Sequence, residues 1–304
     1  MSTHYFRFTR YGAVNRQRSQ LLEQLLARAD DSTAVTDWRA DAFRLIAPAM
    51  TSMPGVGAAA LCADIGAVEA ASVFLATPVQ YVAEMSSVRL PPDGILTLRQ
   101  MDAAALAVDF NRVWNEAGIR LLAGRSAGLY CLVDQALDAA THDPEEALGQ
   151  RIESHLPTGT AAARLRQLMS EIEMWLFEHA VNRSRTANAA AAVNGLWLWG
   201  GGPALTSLPP VDGWTAGDDP FFNAFAARGE SSAAASGVMV TAAEPGSAEW
   251  RDVESNWLER SLADLRSGRI ARLELSAGGR CFSVGARWNW RRWRRQRPWW
   301  EYFA

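Results

Sequence analysis

The chain has 304 residues, 49% of them hydrophobic and 21% charged, with a formal net charge of -3. This length supports a sizeable core in about two domains or one elaborated domain, and the weakly acidic balance argues against a general attraction to nucleic acid or anionic membrane, leaving the distribution of charge to be read locally. All 30 basic side chains are arginine, which excludes mechanisms built on a Schiff-base lysine, a lysine general base or a phosphate-loop lysine.

In chain order, Leu21, Leu22, Leu25 and Leu26 carry helical spacing, so 16–29 is predicted as an amphipathic helix, followed by a second over 37–49. Pro54, Gly55 and Gly57 mark a turn. SVFLA at 72–76, VQYVAEM at 79–85 and GLYCLV at 128–133 are predicted strands around a helix at 99–116, a βαβ-type unit with a PPDG turn at 91–94. Leu165, Leu168, Met169, Ile172, Trp175 and Leu176 give one apolar face to a helix over 160–179. GLWLW at 195–199 is a predicted buried strand, and Gly200, Gly201, Gly202 and Pro203 a tight loop at its carboxyl end, where open α/β sheets bind ligands. A Pro-, Gly- and Asp-rich stretch at 203–236 is expected to be a loop or cover around Phe221, Phe222 and Phe225. Then follow strand 237–241, a helix from Trp250 to Leu265 stopped at Gly268, and strands 270–275 and 281–284. Strands alternating with helices at this spacing predict an α/β fold with a layered sheet.

Cys62, Cys131 and Cys281 are scattered and form no CxxC, so a reducing, cytoplasmic compartment is expected. The segment MSTHYFRFTRYGAV lacks a continuous apolar run, and no stretch approaches the roughly eighteen apolar residues of a membrane span, so neither secretion nor membrane insertion is expected. Cys131 has no partner in the sequence that would activate a thiolate, and no GxSxG occurs, so neither cysteine nor serine hydrolase chemistry is indicated.

The run LMSEIEMWLFEHAVNRSRTANAAAAVNGLWLWGGGP, 168–203, resembles the signature of the archaeal-type cofactor-independent phosphoglycerate mutases through His179, Asn182, Arg185, Asn194, Trp197, Trp199, Gly200 and Gly202. A bacterial family named as E-type regulators of pathogenicity factors carries the same central pattern. The resemblance implies a layered sheet of the alkaline-phosphatase-like kind, with 1–76 and 134–304 as the main domain and 77–133 as an inserted α+β subdomain. It also implies mutase chemistry on divalent metal, but the family's metal-binding Asp and His segments have no recognisable counterpart in this chain.

A census of ligands points the same way. Two-metal phosphoryl transfer needs several converging Asp and His side chains, whereas the histidines are only His4, His142, His155 and His179. The expectation is therefore a mutase-like protein without metal-dependent catalysis and with no cofactor, binding a small phosphorylated or carboxylated ligand in a regulatory role. Its candidate site gathers His179, Asn182, Arg183, Arg185, Asn194, Gly200, Gly201 and Gly202, where an Arg fork and glycine amides would meet an anion. The alternatives are a divergent metal-dependent mutase or phosphoesterase, and an interaction protein working through its tail. That tail, 286–304, interleaves Arg287, Arg291, Arg292, Arg294 and Arg295 with Trp288, Trp290 and Trp293, a pattern suited to single-stranded nucleic acid. The same pattern would also suit Trp side chains covering a sheet while the arginines pair with acidic groups.

Overall fold

The computed structural model describes residues 2–9, 17–126, 128–226, 235–291 and 293–303. It is a mixed α/β structure in two compact units, the first made of Met1–Met53 and Pro209–Ala304, the second of Pro54–Leu208. The first leg of unit one carries β1 (Thr3–Phe8), α1 (Gln20–Ala27), β2 (Asp31–Ala34) and α2 (Trp38–Ile46). Unit two runs α3 (Val56–Asp64), β3 (Ser72–Val79), β4 (Val82–Ala83), β5 (Val88–Leu90), α4 (Gln100–Trp114), β6 (Ile119–Ala123), β7 (Leu129–Val133), β8 (Gln150–Arg151), α5 (Ala162–Phe177), α6 (Ala180–Ala187) and β9 (Gly195–Gly202). The chain returns to unit one with β10 (Trp214–Gly217), α7 (Pro220–Asn223), β11 (Gly237–Thr241), α8 (Ala248–Val253), α9 (Glu259–Ser267), β12 (Arg272–Ala277) and β13 (Arg280–Gly285).

Unit one is a six-stranded sheet in the order β10-β11-β1-β12-β13-β2. Its first four strands are parallel, and β12, β13 and β2 continue antiparallel. β1 lies inside this sheet with all six residues buried. Sequence patterning misses it because THYFRF mixes His4 and Arg7 with its aromatics, the polar side chains finding buried partners in Ser261 and Ser276. One face of the sheet packs Phe6, Phe8, Leu273, Leu275 and Val284 with Leu22, Leu25, Trp250, Leu262 and Leu265 of the helices. The helix expected from Trp250 onward is present as α8 and α9 joined through a π-helical turn, and Gly268 ends it at φ 76°.

Unit two holds a four-stranded sheet in the order β6-β7-β3-β9, with every adjacent pair antiparallel. β3 and β6 both pair with β7, so they run parallel to each other with α4 as their crossover, a split form of the βαβ unit expected from sequence. α4 and α5 cover the sheet with a core that includes Phe74, Leu106, Phe110, Leu121, Cys131, Leu165, Ile172 and Leu198. A small sheet, β4-β5-β8, completes the unit.

Several expectations are corrected. The boundaries fall at 53/54 and 208/209 rather than at 76/77 and 133/134, because β9 pairs along β3 from Val73 to Val79 and so joins the same sheet as β6 and β7. The strands divide between two principal sheets, one in each unit. The turn expected at 54–57 leads directly into α3, which packs against β3 and β9. The Gly200–Gly202 run is not a loop after the strand but the last part of β9, entered through a register irregularity with Gly200 at φ 66°. The segment expected to be loop, 203–236, contains β10 and α7, whose Phe221 meets Phe43 at 5.3 Å between ring centres. Among the described residues no helix is long and apolar enough to cross a membrane.

Candidate functional site

The eight candidate residues all lie in unit two: His179, Asn182, Arg183 and Arg185 at the cap and along α6, Asn194 just before β9, and Gly200, Gly201 and Gly202 at the far end of β9. His179 precedes α6 as its N-cap, and its Nδ1 accepts a hydrogen bond from Val181 N at 3.2 Å. This places the proton of the neutral ring on Nε2, making that atom a donor. Nε2 lies 3.3 Å from Asp109 Oδ2 on α4, but it is buried and outside hydrogen-bond geometry with any group among the described residues. Burial holds the ring below the usual histidine range, while the Asp109 carboxylate pulls the other way and Arg183 adds to the depression.

His179 lines an open depression of about 710 Å³ with Asp109, Met174, Trp175, Phe177, Glu178 and Ala180. Trp175 forms its aromatic wall, 4.6 Å from the His179 ring between centres and packed edge-on against Phe110 and Trp114. Met174 and Phe177 stand exposed at the rim. Asp109 is held from its other oxygen by Arg112 at 2.6 Å. The charges nearest the His179 ring are therefore mixed: Asp109 and Glu178 against Arg112 and Arg183.

The remaining candidates brace the backbone instead of facing this depression. Asn182 donates to Leu176 O at 2.8 Å and to Val193 O at 2.7 Å, and accepts from Val193 N at 2.8 Å, tying the end of α5 to the approach to β9. Arg185 is buried and donates from Nε to Ala191 O at 2.8 Å and from Nη1 to Thr97 O at 3.3 Å. Its nearest carboxylate is Asp102, 3.9 Å away, which the Arg99 fork holds below the usual carboxylate range with a smaller contribution from Arg185. Arg183 is exposed and donates to Glu178 O at 2.6 Å. Asn194 pairs with both backbone groups of Tyr81. Gly200 N donates to Thr141 Oγ1 at 3.0 Å, while Gly202 lies against Gly55 and Gly201 against the Phe74 ring. The convergence of an Arg fork and glycine amides expected from sequence is thus replaced by a set of backbone braces, with His179 alone lining the depression.

Sequence reasoning missed Asp109, 70 residues from His179, because an acidic residue on the polar side of a predicted helix carries no signal of what packs beside it. Trp175 was visible, but as one more apolar position of a core face. Trp197 and Trp199 are core residues whose indoles donate to His142 O and Thr77 Oγ1. Cys131 is fully enclosed, and burial pushes its thiol up to about 12. Among the described residues no group of three or more His, Cys, Asp or Glu side chains could hold a metal ion.

No family model matches the chain. Over 92 residues it is 36% identical to a 2,3-bisphosphoglycerate-independent phosphoglycerate mutase of Methanothrix thermoacetophila, a stretch covering 30% of this chain and 23% of that protein. The chain is mutase-like over that stretch. A Geobacter sulfurreducens protein described as a probable 2,3-bisphosphoglycerate-independent phosphoglycerate mutase is 39% identical over 61 residues, 20% of this chain and 15% of its own. The matches therefore span less than a quarter of the length of these mutases. Among solved structures, the cofactor-independent phosphoglycerate mutase from Thermoplasma acidophilum superposes with a TM-score of 0.37 at 14% identity, covering 93% of this chain and 89% of that one. The PH0037 protein from Pyrococcus horikoshii gives a TM-score of 0.42 at 8% identity, with coverage of 93% and 87%.

Proposed function

We propose that this mutase-like chain recognises a small phosphorylated or carboxylated ligand in a regulatory role, in the cytoplasm, without two-metal phosphoryl transfer. The observation that carries the reading is the His179 ring on the wall of an open depression, its Nε2 donor buried 3.3 Å from Asp109 Oδ2 without the alignment of a hydrogen bond. Asp109 Oδ2 is the oxyanion already beside this atom at 3.3 Å, and an incoming anion that took its place in better alignment would complete a buried donor whose unmet state costs about 1–3 kcal/mol. Arg183 stands close enough to depress the His179 ring and would add positive charge to an incoming anion. In this proposal the parallel strands of unit one form the alkaline-phosphatase-like sheet, and no step is assigned to a metal.

Calorimetry with 2- and 3-phosphoglycerate, run beside a mutase assay with and without manganese, tests this reading. The variant His179→Asn keeps a capping side chain at the start of α6 and removes the Nε2 donor. Binding of one of these anions that is lost in His179→Asn, without turnover, is the expected result. Manganese-dependent turnover would replace the reading by a divergent metal-dependent mutase, and absence of binding would overturn it.

A further inference from the structure

The Arg/Trp-rich segment is pinned to unit one at both ends. Trp288 is buried under the guanidinium groups of Arg28 and Arg266, each 5.3 Å from its ring centre. Trp299 is fully buried, with its indole donating to Gln17 O at 2.8 Å, and Phe303 packs edge-on against Phe8 and Phe282. Between these points Arg291 bonds Asp30, and Arg294 donates to Ala29 O at 2.8 Å. Sequence reasoning grouped Trp288 with Trp290 and Trp293 as one contact surface, and the structure separates it from them as a core residue. Arg292 lies outside the described residues.

The pinned arc holds out two rings. Trp290 is 80% and Trp293 79% exposed, an unfavourable state for indoles. Arg287 lies over Trp290 at 5.8 Å and Arg294 over Trp293 at 5.6 Å, and Arg287, Arg295 and Arg297 are themselves exposed. The patch is cationic on a chain of net charge -3, so its sign is local and complementary to a polyanion.

We infer that the 287–297 arc is a binding platform for single-stranded nucleic acid, with bases stacking on Trp290 and Trp293 and the exposed arginines meeting phosphates. Stacking requires ring faces backed and held in place, which the two Arg–Trp pairs supply. A membrane surface is the less favoured partner, because Trp290 and Trp293 are the sole exposed large hydrophobics of the described arc and no aliphatic side chain beside them would enter the acyl region.

The test is fluorescence anisotropy of the full chain with a labelled oligothymidylate of about 20 nucleotides at roughly 50 mM salt. Saturable binding is expected, falling with rising salt, and Trp290→Ala and Trp293→Ala should each weaken it by about 5- to 150-fold. Arg295→Ala should lower the salt slope by about 0.7, the value of one phosphate contact on a single strand. Both tryptophans are exposed, so unchanged thermal unfolding of the variants checks that the fold is intact. Failure to bind the oligonucleotide, equal binding by the tryptophan variants, or tail-dependent binding to phosphatidylserine vesicles without oligonucleotide binding would each overturn the inference.

Discussion

The side chain of Asn194 pairs with the backbone of Tyr81 as a neighbouring strand would: Oδ1 accepts from Tyr81 N at 2.6 Å and Nδ2 donates to Tyr81 O at 2.9 Å. The bond Asn194 N to Val79 O, 3.1 Å, continues the β3 to β9 ladder into this bracket. Replacing the amide by a carboxylate, Asn194→Asp, sets an anionic oxygen against the Tyr81 carbonyl. Urea denaturation should show a loss of about 1–3 kcal/mol, and the loss should shrink as acid protonates the new carboxyl.

Gly202 and Gly55 approach so closely that a Cβ built on Gly202 would lie 2.8 Å from Gly55 Cα. The contact is backbone to backbone, with no flexible side chain to give way. Gly202→Ala should therefore separate the start of α3 from β9, lowering stability by about 1–3 kcal/mol and increasing amide hydrogen exchange in 55–61.

Arg39 and Asp219 form a buried ion pair in unit one, with N to O contacts of 2.9 and 2.8 Å and side chains 11% and 2% exposed. Asp219 also caps α7 through Phe221 N and Phe222 N, so its charge stays in place when the arginine is removed. Arg39→Ala is expected to cost about 3–5 kcal/mol, read as a lowered chemical-denaturation midpoint. Arg39→Ala combined with Asp219→Asn should recover part of that loss.

Two histidines connect stability to pH. Burial depresses His4, whose Nδ1 pairs with Ser261 Oγ at 2.7 Å and which Asp264 pulls the other way; burial likewise depresses His179, opposed by Asp109 and assisted by Arg183. Both rings are favoured neutral in the fold, whereas in the unfolded chain each takes up a proton near pH 6.5. Their contribution is complete above that value and is lost as pH falls below it toward the depressed folded values. Denaturation between pH 8 and 5 should show stability falling with acidity below about 6.5. The slope should be shallower in His179→Asn.

The α/β class, most of the helices, the buried run at 195–199 and the mutase-like pattern in 168–203 were legible before folding is considered, because these rest on local periodicity and contiguous motifs. The helices α5, α8 and α9 were legible for that reason: their apolar residues repeat at three- and four-residue steps, and a glycine stops α9. β1 was not, since its two polar residues become tolerable only when Ser261 and Ser276 arrive from more than 250 positions away. What the motif residues do was decided by tertiary structure. Asn182, Arg185 and Asn194 bring strong hydrogen-bonding groups to a junction whose backbone has donors and acceptors to satisfy, and a buried backbone group unmet is costly. His179 differs because Asp109, on a helix far along the chain, packs beside it without completing a hydrogen bond. Only folding brings that pair together, which is why the depression lay beyond the reach of composition, spacing or motif.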